Sequence, residues 1–315
     1  MRKWNAVWLA LLAVQCARLP ELRVPTPAPP TGPAREARAL AKIRLCSWNL
    51  KKLGHGDAKD FGVIRAVLDE NCDLTAIVEV MQRAGGHPGY EALMTSLGDG
   101  WSGAVTATPR LNTGAGYAEF YAAVWRPKKI AWCDGWTALR YFTDNDGSRR
   151  GRGPDRFLRE PAYGCFQAVT GQGLGFDFLL GIYHATWEKG DSAKTAAEVR
   201  NLDRVVDEMK RARAGEKDVL IVGDFNLVPL KLAGVSSMKD WTEGEGSTLN
   251  ARGERTSNLY DHVLVDDLEA SPELRAKARV LDVRGKSASR RAFERTVSDH
   301  LPVVVDIEVF RPDDD

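Results

Sequence analysis

The residues in this sequence best suited to chemistry are carboxylates, amides and histidines that close short apolar runs. Val219 to Val222 stops on Gly223, Asp224, Phe225 and Asn226. Aliphatic residues in unbroken succession read as a strand buried on both faces, and the glycine after them frees the backbone to turn. A carboxylate and an amide two residues apart in extended backbone point the same way. Asp224 and Asn226 can therefore share one pocket and hold a water or a metal-bound phosphate. Taken alone, an Asp-containing turn closing a strand is the simpler account. It does not stand alone: Ile43 to Trp48 ends at Asn49, Leu74 to Val78 at Glu79, Phe176 to Tyr183 at His184, and Ser298, Asp299 and His300 stand before the run Leu301 to Val305.

These residue types match what hydrolysis of a phosphate ester requires, namely neutralisation of the anion, a base for water and an acid for the leaving oxygen. Asn49, Glu79 and Asp299 are oxygen donors suited to Mg²⁺ or Mn²⁺, which keep several waters and use few protein carboxylates. His184 and His300 titrate near neutrality, so one can accept a proton while the other gives one. Glu119 and Asp261 can each fix an imidazole tautomer and raise its pKa. His262 follows Asp261 with no assigned role, and His55 and His87 lie in glycine-containing loops.

This set, in this order, resembles the endonuclease/exonuclease/phosphatase family of metal-dependent phosphoesterases from about Ile43 to Val309, most specifically in Ser298-Asp299-His300-Leu301-Pro302-Val303. The resemblance implies an α/β sandwich: two mixed β-sheets face to face, helices outside in four layers, and the site at one edge between the sheets. It pairs Glu119 with His184 and Asp261 with His300, and gives Asp224 and Asn226 the water and the scissile phosphate. Tyr117 and Glu119, with Phe157-Leu158-Arg159-Glu160-Pro161-Ala162, are similar to segments of pancreatic-type deoxyribonucleases, where the Tyr lies against DNA and the Arg contacts a phosphate. In those enzymes the loop matching Asp144 and Asp146 carries Ca²⁺. This chain lacks their loop cysteines and adds Arg149, Arg150 and Arg152, which argues against strong calcium binding. Met81 stands where they place an Arg that enters the minor groove. The resemblance thus implies a Mg²⁺-dependent endonuclease acting on DNA, with RNA also open. A phosphatase or a sphingomyelinase or phospholipase C-like esterase shares the same motifs, and an inactive member serving as a surface binding module would have lost a motif residue.

The elements that must position these groups can be read around them. With 315 residues, of which 43% are hydrophobic, the chain suffices for one large α/β domain, placed at 41–311. Residues 1–17 have a signal-peptide layout: Arg2 and Lys3, then an apolar run from Ala6 to Val14 too short to span a bilayer. Export is the expectation, to a secreted, periplasmic or outer-surface location. Leu12 to Cys16 resembles a lipobox, with Gln15 departing from it, so a lipid anchor at Cys16 is the one membrane contact considered. A proline-rich linker, 18–40, follows. No protein partner is implied, and the expected state is a monomer.

Apolar residues at Phe61, Ile64, Val67 and Leu68 make 57–69 a helix, so the strands ending at Asn49 and Glu79 should run parallel. The run 116–125 reads as an aromatic-rich strand, with 130–136 expected to pair with it as a hairpin. Ser192 to Arg211 reads as a single amphipathic helix. Cysteines 46, 72, 133 and 165 show no metal-site spacing; a Cys133–Cys165 bridge and four buried thiols both remain open. A net charge of +1 gives the molecule no strong field for a polyanion. Nucleic-acid binding would therefore rely on local patches. Arg149 to Arg159 and Arg284 to Arg295 each hold five cations against one acid.

Overall fold

The computed structural model describes residues 41–56, 58–83, 85–107, 118–142, 156–171, 173–187, 191–268 and 271–309. The expectations for the leader, the linker, Cys16, Tyr117, Asp144, Asp146 and the Arg149 to Arg152 cluster lie outside these residues.

In chain order the strands are β1 (Ala41–Leu53), β2 (Leu74–Met81), β3 (Ser102–Val105), β4 (Glu119–Trp125), β5 (Ile130–Trp132), β6 (Arg140–Tyr141), β7 (Ala162–Thr170), β8 (Gly173–His184), β9 (Val219–Asp224), β10 (Lys239–Asp240), β11 (Thr242–Glu243), β12 (Asp261–Val265), β13 (Ala278–Val280) and β14 (Val303–Val309). The helices are α1 (Phe61–Asn71), α2 (Pro88–Leu97), α3 (Ser192–Val199), α4 (Leu202–Ala212), α5 (Pro229–Leu232) and α6 (Arg290–Thr296). One sheet has the order β11-β13-β14-β1-β2-β4-β3; the other runs β10-β12-β9-β8-β7-β5, with β6 also on β7. Both are mixed. β1 and β2 are parallel, as are β8 and β9, because α1 joins the first pair and α3 with α4 the second.

Three apolar layers hold the sandwich. Ile43, Leu45 and Val78 from one sheet meet Leu180, Ile182 and Val222 from the other in the central layer. Trp48, Ile77 and Val80 pack outward onto α1, α2 and α6, while Leu179 and Ile221 pack outward onto α3 and α4. Alternation along each strand divides these sets, since successive side chains face opposite sides of a sheet. The same alternation aims the polar residues. Asn49 is in step with Ile43 and Leu45, Glu119 with Tyr121 and Ala123, His184 with Leu180 and Ile182, Asp224 with Leu220 and Val222, and Asp261 with Val263 and Val265. All five enter the gap between the sheets where its apolar filling stops.

Three expectations need correction, and one open question is answered. The stretch from 130 does not form a hairpin with β4: β5 pairs with β7 in the opposite sheet. After Arg126-Pro127 the chain crosses the end of the sandwich, and Trp125 meets Trp132 edge-on at 5.1 Å in the central layer. Burying both indoles there outweighs an in-plane turn. The helix at 192–211 is two, because the Asn201 side chain donates to the carbonyls of Ala197 and Glu198 and draws them from the helical ladder. Gly223 lies within β9 rather than at a turn: at φ +148° it lets the Tyr183 carbonyl approach so closely that a Cβ would lie 1.8 Å from that oxygen. The cysteines, left open by sequence, form two disulfides, Cys46–Cys72 and Cys133–Cys165.

Cys46–Cys72 closes a loop of 26 residues that contains α1 and fastens β1 beside the start of β2. Loop-closure entropy assigns such a bridge about 3.5 kcal/mol. Replacing both cysteines with alanine should lower the unfolding free energy in urea by that amount; an unchanged midpoint and slope would show the bridge contributes nothing.

Candidate active site

Two irregularities build the floor of the site. The β1–β2 register shifts between Asn49 and Leu53, and the β2–β4 register shifts between Ile77 and Val80. Lys51, Lys52 and Glu79 have φ of +39°, +50° and +61°, which non-glycine residues rarely adopt. Bulges re-aim side chains at sheet edges. Here the Glu79 carboxylate accepts from the Asn49 Nδ2 at 2.9 Å through Oε1 and from the Lys52 amide at 2.8 Å through Oε2. Asn226, at φ +51°, is the fourth strained residue; its amide N–H donates to Asp224 Oδ1 at 3.0 Å and its side chain to the Ala185 carbonyl at 3.0 Å.

Above this floor stand two histidine–carboxylate pairs. His184 Nδ1 lies 2.5 Å from Glu119 Oε1, and His300 Nδ1 lies 2.7 Å from Asp261 Oδ2. The opposite ring nitrogens approach one oxygen from two sides: Asp224 Oδ2 is 3.7 Å from His184 Nε2 and 3.6 Å from His300 Nε2, and it accepts from Asn49 Nδ2 at 3.1 Å. Each carboxylate has a further holder. Arg159 Nε sits 2.8 Å from Glu119 Oε2, and the Ser247 hydroxyl donates to Asp261 Oδ2 at 2.6 Å. Ser298 bonds the Asn49 carbonyl and accepts from the His300 amide, while the Trp48 indole donates to the His300 carbonyl, locking the last motif onto β1.

The electrostatics follow from these contacts. Burial disfavours an imidazolium at His184 and His300, but the carboxylates around each outweigh it. Glu119 and Asp224 raise the pKa of His184; Asp261, Asp224 and Asp299 push His300 well above its ordinary value. The Asp224 carboxyl is raised, first by burial and then by the charge of Asp261. Burial also pushes Glu119 upward, yet His184 and Arg159 beside it bring its carboxyl below the usual range. The cleft is thus rich in negative charge, and its imidazoles tend to hold protons.

A divalent cation fits this environment. Asn49, Glu79 and Asp299 offer an amide oxygen and two carboxylates, the hard donors that Mg²⁺ and Mn²⁺ take. Asn49 meets Glu79 through its Nδ2, while its Oδ1 accepts from the Lys51 amide at 2.8 Å. Asp299 is flanked by Lys51, whose Nζ lies 3.5 Å from Asp299 Oδ2 and also pairs with Glu294. Among the described residues, Asp224, Asp261 and His300 form a second set whose donor atoms lie within 4.8 Å of one another.

The sequence-derived residues that are described converge on this one edge. Arg159 is more committed than its expected phosphate contact implied, since its Nη1 also donates toward the carbonyls of His184 and Ala185. The 284–295 segment is a weaker cationic patch than its composition suggested: Arg284 pairs with Asp282 and Lys286 with Glu70. Arg290 and Arg291 remain exposed. His262 is fully buried, bonded to the Leu227 and Leu259 carbonyls and 3.0 Å from Asp240, so its contacts are those of a core residue. Sequence reasoning missed Lys51, Ser247 and Tyr121, whose hydroxyl accepts from the His184 amide at 3.3 Å. Tyr121 alone carried a signal, being in step with Glu119.

A deoxyribonuclease of Thioalkalivibrio sp. (strain K90mix) is 31% identical over 280 residues, covering 85% of this chain and 71% of that protein. The chain belongs to the endonuclease/exonuclease/phosphatase family. An endonuclease/exonuclease/phosphatase family protein of Bacteroides thetaiotaomicron shares the fold with a TM-score of 0.60 at 18% identity, covering 86% of this chain and 96% of its own. TDP2 of D. rerio, complexed with a single-strand DNA product, superposes with a TM-score of 0.56 at 14% identity, covering 84% and 98%. The scan against family models found no match.

The pairing of His300 has a measurable sign. In metal-free protein its imidazole should titrate well above 6.5, and Asp261→Asn should bring the midpoint down. Since the folded-state value exceeds the unfolded one, this pair's contribution to stability is complete below about pH 6.5 and is lost as pH rises through the folded value. Histidine side-chain NMR across a pH series reads the midpoint, and a wild-type value at or below 6.5 would contradict the pairing.

Proposed function

We propose that this protein is an exported, Mg²⁺-dependent endonuclease that hydrolyses phosphodiester bonds in DNA. The observation that carries the reading is the Asp224 carboxylate held between two imidazoles, each fixed through Nδ1 by its own buried carboxylate. The deoxyribonuclease relative supports nucleic acid as the substrate class. Within the reading, a divalent cation held by Asn49, Glu79 and Asp299 supplies charge neutralisation for the phosphate. His184, oriented by Glu119, and His300, oriented by Asp261, divide the proton transfers: one accepts the proton of the attacking water and the other donates to the leaving oxygen. Asp224 and Asn226 align that water and the phosphate; Arg159 holds Glu119 in place. Export is supported by the leader-like start of the chain and by the two disulfides, which persist in oxidising compartments.

Purified protein with Mg²⁺ should nick supercoiled plasmid, and EDTA should abolish the reaction. Mg²⁺ or Mn²⁺ should restore it better than Zn²⁺. Turnover of a phosphomonoester panel or of sphingomyelin, with plasmid intact, would replace the nuclease reading by a phosphatase or phospholipase-like one.

His184→Ala and His300→Ala should each lower turnover by about 10²-fold or more without loss of fold, the scale of a lost proton-transfer group. Near-wild-type turnover in either variant would remove that histidine from the mechanism.

A further inference from the structure

Among the described residues, large apolar side chains are exposed at Leu158, Trp187 and Leu230; Trp187 is 57% exposed. Trp187 lies three residues beyond His184, so its Cα is within about 11 Å of that histidine's. The backbone leading to it is held on both sides. Glu198 on α3, itself buried, accepts from the Leu158 amide at 3.1 Å and from the Thr186 amide at 3.2 Å. The Thr195 hydroxyl donates to the Thr186 carbonyl at 2.8 Å. Arg159, next to Leu158, bonds the carbonyls of His184 and Ala185. The chain thus fixes the backbone before Trp187, three residues from His184, and leaves the indole largely exposed.

We infer that Trp187 is a specificity-determining residue whose indole stacks on an unpaired nucleobase next to the scissile phosphate; the inference rests on the nuclease reading above. Aromatic rings on a rigid stem receive bases of any sequence, because every base has a π-face. A paired base would have to leave its stack first, so the preferred strand is single or locally unpaired. A lipid surface would call for a broad apolar face, whereas the backbone two residues before Trp187 is bonded by Arg159, the partner of Glu119.

The test uses the full-length protein, a short single-stranded deoxyoligonucleotide with one cleavable linkage, and the same strand carrying abasic nucleotides on both sides of that linkage. Trp187→Ala should raise KM for the base-bearing strand by about tenfold with kcat little changed, the scale of one base–aromatic stack. Trp187→Phe should recover most of the loss, and the abasic strand should not distinguish the three proteins. Equal KM for wild type and Trp187→Ala, or the same loss on the abasic strand, overturns the inference and leaves the nuclease reading intact. Unchanged oligonucleotide kinetics with weakened binding to phosphatidylcholine–sphingomyelin vesicles assigns the ring to a lipid surface and likewise overturns it. Failure of the wild-type protein to cut either strand while it still nicks plasmid overturns this inference alone; failure on plasmid as well overturns the nuclease reading, and this inference falls with it.

Discussion

Both histidine–carboxylate pairs made through Nδ1 cross the gap between the two sheets. His184 on β8 reaches Glu119 on β4; Asp261 on β12 reaches His300 ahead of β14; Asn49 on β1 reaches Asp224 on β9. No single sheet owns a complete pair. The spacing of the sandwich, set by the aliphatic and aromatic side chains of its central layer, is therefore also the spacing of the chemistry. Close packing makes that spacing stiff, because a well-filled interior cannot yield a few tenths of an ångström without losing contacts on both sides.

The ends of the strands are where such contacts can exist. Deeper in the gap a carboxylate would meet only apolar groups and lose its charge. Farther out it would be solvated and its partner's pKa would return to the ordinary range. Asp224, Asp261 and Glu119 occupy the boundary, buried yet each with a donor aimed at it. Holding them there costs conformational strain at Lys51, Lys52, Glu79 and Asn226, on the order of 1–3 kcal/mol each.

Much of this was legible in the sequence because alternation along a strand is a rule with a fixed period. Once Leu220 and Val222 are assigned inward, Asp224 must follow, and the same holds for His184 after Ile182 and Asp261 before Val263. The sheet order needed more than periodicity. Trp125 and Trp132 look like the two arms of a hairpin, and only the energy of burying both between the sheets sends the second arm across. The division between α3 and α4 hinges on one side chain, that of Asn201, competing for carbonyls that its neighbours would otherwise use. Lys51 and Ser247 left no trace, since each acts at a place the chain reaches through a bulge or a long loop. Cys46 and Cys72 pair because two strands lie side by side in space.

The bulges near Asn49 and Glu79 also bear on how this scaffold could be rebuilt. Idealised design favours unbroken ladders, matched strand lengths and unstrained dihedrals. Applied to β1 and β2, it would remove the residues out of register, return Glu79 to the outward face beside Ile77, and yield a tidier sheet. The product would be a better-behaved fold with nothing left to do. In this molecule the departures from regularity are the part of the backbone that encodes the cleft, and a sequence optimised only for its own architecture would erase them first.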